Sequence, residues 1–221
     1  MIIPENLSFT EAAAIPEVFL TAFQTLFWLG DLKEKETVLI HAGGSGVGTA
    51  AIQLAKQLKN ATVIATAGSQ QKLDTCTSLG ANQVINYKQQ AFEKKILDSN
   101  RKVDVILDFV GASYFKQNLA AINTDGRWIL IGVLGGTKIE DLNLMELMVK
   151  RIQIKGTLLT PRSDQYKAEL TKDFIQSTKL LFEQGKLKPI IDTVYSFEHI
   201  QDAHLRMETN KNIGKIILSW D

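Results

Sequence analysis

The stretch 37-TVLIHAGGSGVGTAAIQLAK-56 places four glycines in the six positions 43–48, between two apolar segments. Residues 37–40 form a short run rich in β-branched side chains, which is typical of a buried strand. After the glycines, apolar residues recur at helical spacing and predict a helix over 46–59. Such a strand, glycine turn and helix form an anion site, because the first N–H groups of the helix are unpaired and its dipole is positive there. The alternative is a tight turn that binds nothing, since short glycine motifs also occur by chance.

Strands and helices continue to alternate along the chain after this first unit. The alternation implies right-handed crossovers and a parallel sheet with helices on both faces. Six strands in this arrangement are typical of the doubly wound α/β fold, or Rossmann fold, that binds dinucleotides. The predicted strands span 37–42, 61–66, 83–86, 103–108, 127–131 and 152–159, and the predicted helices between them span 46–59, 70–78, 89–98, 112–121 and 142–150.

The pattern changes after Pro161. A long helix is predicted near 165–184, and two β-like segments follow at 190–195 and 214–220, separated by a short helix. These segments do not continue the alternation of strand and helix. We therefore expect the two strands to pair with something outside the main sheet.

Composition and charge exclude several classes of protein. The 221 residues carry 25 Lys and Arg against 24 Asp and Glu, so no excess of positive charge indicates binding to nucleic acid or to an anionic membrane. The apolar stretch near the N-terminus contains Pro16, Glu17 and Gln24, which favour a core helix over a membrane span. The single cysteine, Cys76, is predicted to be a packed small side chain. A chain that cannot form an internal disulfide fits a reducing, cytoplasmic setting.

The turn after the second predicted strand indicates which dinucleotide is bound. In the common fingerprint an acidic residue about 20 positions beyond the glycines accepts hydrogen bonds from the ribose and favours NAD. Here no acid occurs before Asp74. Gly68 makes room for a 2′-phosphate, Ser69 can donate to it and Lys72 supplies charge, while Tyr87 is placed to close the adenine side. Ser69 as a helix N-cap and Lys72 as a solvated lysine are the alternatives, but we expect NADP(H).

A wider set of motifs is spread over residues 4–219. The glycines follow the spacing Gly-x-x-Gly-x-Gly, at Gly43, Gly46 and Gly48. The other segments are 12-AAAIP-16, 20-LTAF-23, 41-HA-42, 68-GS-69 with Lys72, 86-NY-87, 125-DGRW-128 and 212-NIGKI-216. In this combination the chain resembles the quinone oxidoreductase branch, the zeta-crystallin type, of the medium-chain dehydrogenase/reductase superfamily. That branch is zinc-independent, so the resemblance implies no metal site.

The resemblance implies roles for residues on the adenosine and diphosphate side of NADPH. Gly46 and Val47 would lie against the pyrophosphate, within a turn completed by Gly43, Ser45 and Gly48. The 2′-phosphate would be held by Gly68, Ser69, Lys72 and Tyr87, with Asn210 or Asn212 near the phosphate.

On the nicotinamide side, the resemblance implies that Thr21 approaches the nicotinamide end. Contacts with the ribose and nicotinamide are implied for Val110, Leu134, Gly135 and Gly136. Val110 and Leu134 fit core packing equally well. His41, at the end of the first strand, is expected to pack under the glycine turn, and no residue stands out as a proton donor.

The resemblance also implies a domain organisation. Family members begin with a small β-barrel catalytic domain, and this sequence corresponds to the part that follows it. Residues 1–30 would then be linker helices, 31–160 an NADP-binding Rossmann domain, and 161–221 a helix and strands that complete the second, β-rich catalytic domain.

The implied activity is NADPH-dependent reduction of quinones or α,β-unsaturated carbonyls by hydride transfer, in which the cofactor carries the chemistry. An NADPH-binding protein without turnover and an enoyl-thioester reductase remain the alternatives. The resemblance further implies a homodimer joined through the last strand of the sheet, at 152–159, whose open apolar edge would otherwise promote aggregation. The expected partners are a small-molecule substrate and a second copy of the chain, with neither nucleic acid nor membrane.

Overall fold

The computed structural model describes residues 2–220, which are built around a six-stranded parallel sheet. The strand order is β3-β2-β1-β4-β5-β6, so the chain reverses its direction of travel across the sheet between β1 and β4. This order is that of the doubly wound dinucleotide-binding fold and confirms the predicted fold class. The strands are β1 (Thr37–Ile40), β2 (Thr62–Ala67), β3 (Gln83–Asn86), β4 (Val103–Asp108), β5 (Ile122–Leu130) and β6 (Gln153–Gly156).

Helices cover both faces of this sheet, and each face carries its own apolar cluster. Two short helices precede the sheet, and a π-helix at Gln24–Leu29 continues the second of them. The α-helices are α1 (Phe9–Ala13), α2 (Pro16–Phe23), α3 (Gly46–Lys59), α4 (Gln70–Ser78), α5 (Phe92–Asp98), α6 (Phe115–Ala121), α7 (Leu144–Lys150), α8 (Asp164–Glu183) and α9 (Ile200–Glu208). Within residues 2–220, none of the helices combines the length and apolar character needed to cross a bilayer.

The largest differences from the predicted elements occur at the far side of the sheet. The predicted strand 127–131 begins earlier, at Ile122, because the polar segment 123–126 stays within the strand as an irregularity in its pairing with β4. Asp125, within this segment, has a positive φ of 62°. A backbone of this kind is typical of a turn, so the sequence pattern does not indicate a strand at this position. The predicted strand 152–159 is shorter, with four residues in β6.

Two strands near the C-terminus form a separate sheet, as predicted for strands that do not continue the alternation. They are β7 (Ile191–Ser196) and β8 (Lys215–Ser219), and they pair with each other in parallel. The residue before β8 touches the main sheet's glycine turn: the N–H of Gly214 donates to the carbonyl of Gly44 at 2.9 Å. The C-terminal segment is therefore fixed beside the turn that precedes α3.

The outer edge of β6 and the adjacent face of α7 are exposed. Among residues 2–220, β5 is the strand that pairs with β6, so the opposite edge of β6 is open, and Ile154 within β6 is half-exposed. On α7, Leu144, Met145, Met148 and Val149 are all more than 60% exposed and share one side of the helix. We propose that this edge and helix face pair with the same surface of a second copy, because an open apolar edge strand is a template for strand pairing.

The proposed dimer is tested by placing a charge on the exposed face of α7. We expect Met148→Glu to sediment as a monomer at micromolar concentration, whereas the native chain sediments as a dimer, because the charge would be buried in the joined surface. Leu180→Glu, an equally exposed leucine on α8, is the matched control and should remain dimeric. A monomeric native chain would refute the proposal.

Candidate functional site

A groove of about 650 Å³ lies at the carboxyl ends of the parallel strands, at the point where the loops after β1 and β4 separate. In doubly wound sheets this reversal point is where ligands bind, because the loops after the two strands separate there. The groove brings together Ser45, Gly68, Ser69, Lys72, Tyr87, Val110, Leu134, Gly135, Asn210 and Asn212 from the predicted set, together with Ala42, Gly44, Thr66, Ala67, Lys88, Tyr114 and Met207.

The glycine turn presents the N-terminus of α3 to this groove. Ser45 is the N-cap of α3, and its hydroxyl accepts a hydrogen bond from the N–H of Gly48 at 3.0 Å. The cap leaves the N–H groups of Gly46 and Val47, at the positive end of a 14-residue helix, for another acceptor. The turn therefore retains the predicted character of an anion site.

The structure shows what a side chain in place of each glycine would meet. A Cβ on Gly48 would overlap the carbonyl of Ala42, and one on Gly43 would lie 2.8 Å from the Sγ of Cys76. A Cβ on Gly46 would point at Val18 and Lys215, within 2.8 Å of both. These glycines allow α3 to pack closely against its surroundings. Gly43, Gly46, Val47 and Gly48 are not among the residues whose atoms line the groove, and their contact with a diphosphate stays a prediction.

The turn after β2 brings a serine, a tyrosine and a lysine to one place. Ser69 is the N-cap of α4 and accepts from the N–H of Lys72, so the capping role is real. A Cβ on Gly68 would lie 2.6 Å from the hydroxyl of Tyr87 and 3.1 Å from the Cε of Lys88. The hydroxyl of Tyr87 and the end of the Lys88 side chain therefore lie directly over Gly68.

Lys72 is not an ordinary solvated lysine. Its carbon chain crosses Gly44, where a Cβ would lie 2.8 Å from the Cγ of Lys72. Its ammonium donates to the backbone carbonyl of Asn210 at 2.8 Å and to the Oδ1 of the same residue at 2.7 Å. Partial burial, and then the nearby charge of Lys88, lower the pKa of Lys72, while Asp192 opposes the shift.

The C-terminal segment forms one wall of the groove, and Asp192 fixes it. The carboxylate of Asp192 pairs with Arg206 on α9 and accepts from the N–H of Ile213 at 2.9 Å. The side chain of Asn212 donates to the carbonyl of Gly214 at 3.1 Å. Both Asn210 and Asn212, offered as alternatives on sequence grounds, line the groove.

The loops after β4 and β5 form the opposite end of the groove. They are joined by backbone hydrogen bonds, including the N–H of Gly135 to the carbonyl of Val110 at 2.7 Å. Val110 is half-buried and Leu134 is 87% exposed, so Leu134 is not a core residue. Gly136 is not among the residues that line the groove, and its contact with the ribose or nicotinamide stays a prediction. Its positive φ of 114° explains the glycine, and its carbonyl accepts from the N–H of Ala112 at 3.1 Å.

A buried polar network supports these loops from below. The carboxylate of Asp108 is fully buried and accepts from the N–H groups of Val110 and Gly111, at 2.7 and 3.0 Å. Its other oxygen accepts from the indole of Trp128 and the amide of Asn118, at 3.0 and 3.1 Å. Asp108 thus fixes the start of the β4 loop without entering the groove.

His41 belongs to this network, as its predicted place under the turn implies. Its Nε2 donates to the Oδ1 of Asn118 at 2.7 Å, and its Nδ1 accepts from the hydroxyl of Thr66 at 3.0 Å. Complete burial lowers the pKa of His41 more than the charge of Asp108 raises it, so the imidazole is neutral. A neutral histidine sealed under the loops positions them and does not contact a ligand.

Thr21 lies outside this groove, and its predicted place near the nicotinamide end stays a prediction. It lines a second cavity of about 460 Å³, next to Ile131 and Thr157, which follow β5 and β6. Two buried side-chain oxygens at this cavity have no hydrogen-bond partner: the Oε1 of Gln24 and the Oγ1 of Thr157. Gln24 is fully buried and uses its Nε2 to donate to the hydroxyl of Tyr166 at 2.9 Å.

Sequence reasoning missed seven residues that line the groove, and the three with the largest side chains are Lys88, Tyr114 and Met207. Lys88 was detectable, because it follows Tyr87 directly in the segment after β3. Tyr114 lies in a short 3₁₀ turn at Ala112–Tyr114, and Met207 lies on α9, and neither has a local sequence signal.

The fold and the position of the groove are those of the doubly wound class of proteins, in which dinucleotides bind at the reversal point. The family model described as "Zinc-binding dehydrogenase" matches residues 46–195. The chain therefore belongs to this family, within the medium-chain dehydrogenase/reductase superfamily. Within the described residues 2–220, no three His, Cys, Asp or Glu side chains form a group that could hold a metal ion.

Curated relatives match almost the whole chain. The synaptic vesicle membrane protein VAT-1 homolog of Danio rerio is 31% identical over 100% of this chain and 48% of its own length. Quinone oxidoreductase-like protein 2 of Bos taurus is 31% identical over 98% of this chain and 62% of its own length. The chain therefore spans about half to three-fifths of the length of these relatives.

Solved structures share the fold over 99% of this chain. An NAD-dependent alcohol dehydrogenase has a TM-score of 0.84 at 34% identity, with 61% of its own chain covered. The CurK enoyl reductase has a TM-score of 0.82 at 31% identity, with 65% covered. The quinone oxidoreductase of Thermus thermophilus, also solved in complex with NADPH, has a TM-score of 0.84 at 27% identity, with 69% covered.

The buried His41 predicts a specific pH dependence of stability. Because the pKa of His41 is lowered in the folded state, the unfolded chain takes up a proton first as the pH falls below about 6.5, the ordinary value for histidine. The free energy of unfolding should therefore fall below that pH, by at most about 1.4 kcal/mol per pH unit from this group. Urea unfolding at about pH 7.5 and about pH 5.5 measures this effect. Between the two pH values, the free energy of unfolding should fall by more for the native chain than for His41→Gln.

The exposed His204 provides the matched control for this measurement. His204→Gln should keep the pH dependence of the native chain, because it leaves the buried imidazole of His41 in place. If His41→Gln lost as much stability on acidification as the native chain, the assignment of a neutral, sealed His41 would be wrong.

Proposed function

We propose that this protein binds NADPH in the groove between the β1 and β4 loops. The observation that carries the proposal is the turn after β2, where the hydroxyl of Tyr87 and the end of Lys88 lie over Gly68, next to Ser69, while Lys72 lines the same groove. Among the described residues that line the groove there is no Asp or Glu, the group that would hold the ribose hydroxyls of NADH. Two lysines and two hydroxyls suit a 2′-phosphate instead.

The rest of the groove fits the remaining parts of this dinucleotide. The diphosphate suits the N-terminus of α3, where the N–H groups of Gly46 and Val47 are left by the Ser45 cap. The adenine suits the aromatic pair Tyr87 and Tyr114, whose ring centroids are 6.4 Å apart. Apart from Tyr114, which follows β4, the residues in these assignments belong to the half of the sheet formed by β1, β2 and β3.

The nicotinamide belongs to the other half of the sheet, because the doubly wound fold repeats one mononucleotide-binding unit on each side of the reversal point. Val110 and Leu134 lead from the groove in that direction, and the second cavity lies beyond the ends of β5 and β6. The unpartnered oxygens of Gln24 and Thr157 suit a carboxamide, which has two N–H donors and one acceptor. We therefore retain Thr21 at the nicotinamide end as part of this proposal.

We further propose that the protein reduces a quinone or an α,β-unsaturated carbonyl. When bound, NADPH supplies the hydride, and the chain binds it, orients it and limits access of water. The side chains of Leu20, Ile131, Leu158 and Leu159 give the second cavity an apolar wall suited to these tasks. The names of the quinone oxidoreductase-like relative and of the Thermus enzyme support this substrate class. No residue is assigned as a proton donor.

The similarity to an enoyl reductase favours a second candidate, reduction of an enoyl thioester. NADPH oxidation followed by absorbance, with a quinone or an enoyl thioester as acceptor, separates the two. Saturable oxidation with the quinone alone supports the first reading, and oxidation with the thioester alone supports the second. Tight binding of NADPH without oxidation by either acceptor would show a cofactor-binding protein without turnover.

The composition of the groove predicts the cofactor preference. We expect NADPH to bind at least about tenfold more tightly than NADH, a difference of about 1.4 kcal/mol, because the 2′-phosphate meets positive charge. Titration of nicotinamide fluorescence measures both dissociation constants. Raising the salt concentration should reduce the difference, because exposed ion pairs are screened. Equal affinities would refute the NADPH assignment, and absence of binding would refute the groove.

A further inference from the structure

The second cavity, at the ends of β5 and β6, has a closed floor and an open rim. At the floor, Gln24 and Leu170 are both fully buried, and the Oε1 of Gln24 has no hydrogen-bond partner. At the rim, Leu158 and Glu17 are exposed. Because the proposed function assigns the carboxamide of the nicotinamide to the floor, an acceptor molecule would enter over the rim.

The helix α8 contributes to both the floor and the rim. Lys167 and Leu170 are three residues apart on this helix, so their side chains lie on the same face. The hydroxyl of Tyr166, the neighbour of Lys167, accepts a hydrogen bond from the Nε2 of Gln24 at 2.9 Å, which holds the start of α8 against the cavity. Leu170 is buried whereas Lys167 is half-buried, so α8 places a lysine on the side of the cavity that faces the rim.

The ammonium of Lys167 has no ionic partner within residues 2–220, and it makes no hydrogen bond there. Among the described residues that line the cavity, the acidic one is Glu17, and its carboxylate pairs with Lys215 at 3.2 Å instead. Asp164, which is exposed one helical turn before Lys167, forms no ion pair with it. The rim therefore carries a positive charge that the described part of the chain does not neutralise.

A second cation lies close to this lysine. The guanidinium of Arg162 lies over the ring of Tyr166, with its central carbon 4.8 Å from the ring centroid. Tyr166 is itself bonded to Gln24 at the floor of the cavity. Arg162 thus adds to the positive potential on the α8 side of the cavity without entering its lining.

A carboxylate is the anion that best fits this position. An ion pair between an ammonium and a carboxylate is stronger beside apolar walls, such as those formed here by Leu158 and Leu159, because solvent and salt screen it less. The floor and Lys167 line one cavity of about 460 Å³, so a ligand group that meets Lys167 lies only a few bonds from the part of the ligand that enters the cavity. A phosphate at the end of a long carrier arm would lie outside this space.

We propose that the acceptor reduced by this protein carries a carboxylate close to its reducible bond, and that Lys167 pairs with this carboxylate at the rim of the second cavity. Lys167 is then the residue that selects anionic over neutral acceptors. This inference rests on the proposed function, namely that the chain binds NADPH and reduces a quinone or an α,β-unsaturated carbonyl.

The experiment compares a matched pair of acceptors, a naphthoquinone with a propionate side chain and the methyl ester of the same compound. An enone with a benzoate group and its methyl ester form a second pair, which covers the other acceptor class. The kcat/KM obtained from NADPH absorbance should be at least about threefold higher for the acid than for the ester, the size expected of a partly screened ion pair.

Substitutions of Lys167 test its part in this preference. Lys167→Ala should remove the preference and Lys167→Glu should reverse it, because the charge that meets the carboxylate is lost or inverted. Lys167→Arg should retain the preference, because it keeps the charge. Lys172→Ala removes an exposed lysine of α8 outside the cavity lining, and this matched control should keep the native preference.

A binding measurement that needs no turnover provides a second readout. In calorimetric titrations of the native chain loaded with NADP⁺, the acid should bind at least about threefold more tightly than the ester. The difference should vanish with Lys167→Ala, and it should narrow as the salt concentration rises. Thermal unfolding shows that each variant is folded.

The outcomes distinguish this inference from the proposed function. If the native chain reduces acid and ester equally well, or if Lys167→Ala keeps the preference for the acid, the role of Lys167 is refuted and the proposed function stands. The carboxylate is also refuted if no preference between acid and ester exists but a coenzyme A thioester is preferred, through Lys167, over the N-acetylcysteamine thioester of the same enoyl group. That result would assign Lys167 to a carrier phosphate.

Two further outcomes concern the proposed function directly. If the chain binds NADPH but reduces no acceptor, the proposed reduction fails; tighter, Lys167-dependent binding of the acid would then support the pairing at the rim, and equal binding of acid and ester would refute it. If the native chain binds no dinucleotide, the proposed function itself fails.

Discussion

The close approach of α3 to the turn that precedes it is the constraint on which the rest of the structure depends. Any side chain at Gly48 would overlap the carbonyl of Ala42, and any at Gly43 would reach the buried sulfur of Cys76. With hydrogen in place of Cβ, the helix starts at Gly46 and directs its N–H groups to the carboxyl end of the sheet. The same turn offers the carbonyl of Gly44 to Gly214, so it also positions the C-terminal wall of the groove.

A second constraint lies under the groove, in the buried carboxylate of Asp108. Four hydrogen bonds satisfy it, two from the backbone of its own loop and two from Trp128 and Asn118. A buried charge is tolerated only when its hydrogen bonds are complete, so this arrangement fixes the β4 loop. His41 extends the network to Thr66, on β2, and thereby links the loops of both halves of the sheet.

The doubly wound fold was predictable because its signals are local and repeated. The apolar run at 37–40, the helical spacing over 46–59 and the change of pattern after Pro161 each correspond to an observed feature. The positions of Ser69 and Lys72 were also predictable, because the cap at the start of α4 fixes both.

The rest of the site depends on three-dimensional contacts that the spacing of residues along the sequence does not reveal. The direction in which a Cβ would point decides that Gly46 faces Val18 and Lys215, and the fold of the β5 loop decides that Gly135 lines the groove while Gly136 does not. The contact between Lys72 and Asn210 joins residues 138 positions apart, and the orphaned oxygen of Gln24 depends on the packing of α8 against α2. An exposed lysine such as Lys88 has no periodic signal, so its place over Gly68 appears only when β2 and β3 are side by side.

The central claim is that the groove between the β1 and β4 loops takes a dinucleotide whose 2′-phosphate lies at the turn after β2. A crystal structure of the full chain with NADP⁺ tests this most directly. The account predicts the diphosphate at the N–H groups of Gly46 and Val47, and the 2′-phosphate within ion-pair distance of Lys88, about 4 Å or less. A nucleotide bound elsewhere on the chain, or in this groove with its 2′-phosphate turned away from Gly68 and Lys88, would contradict it.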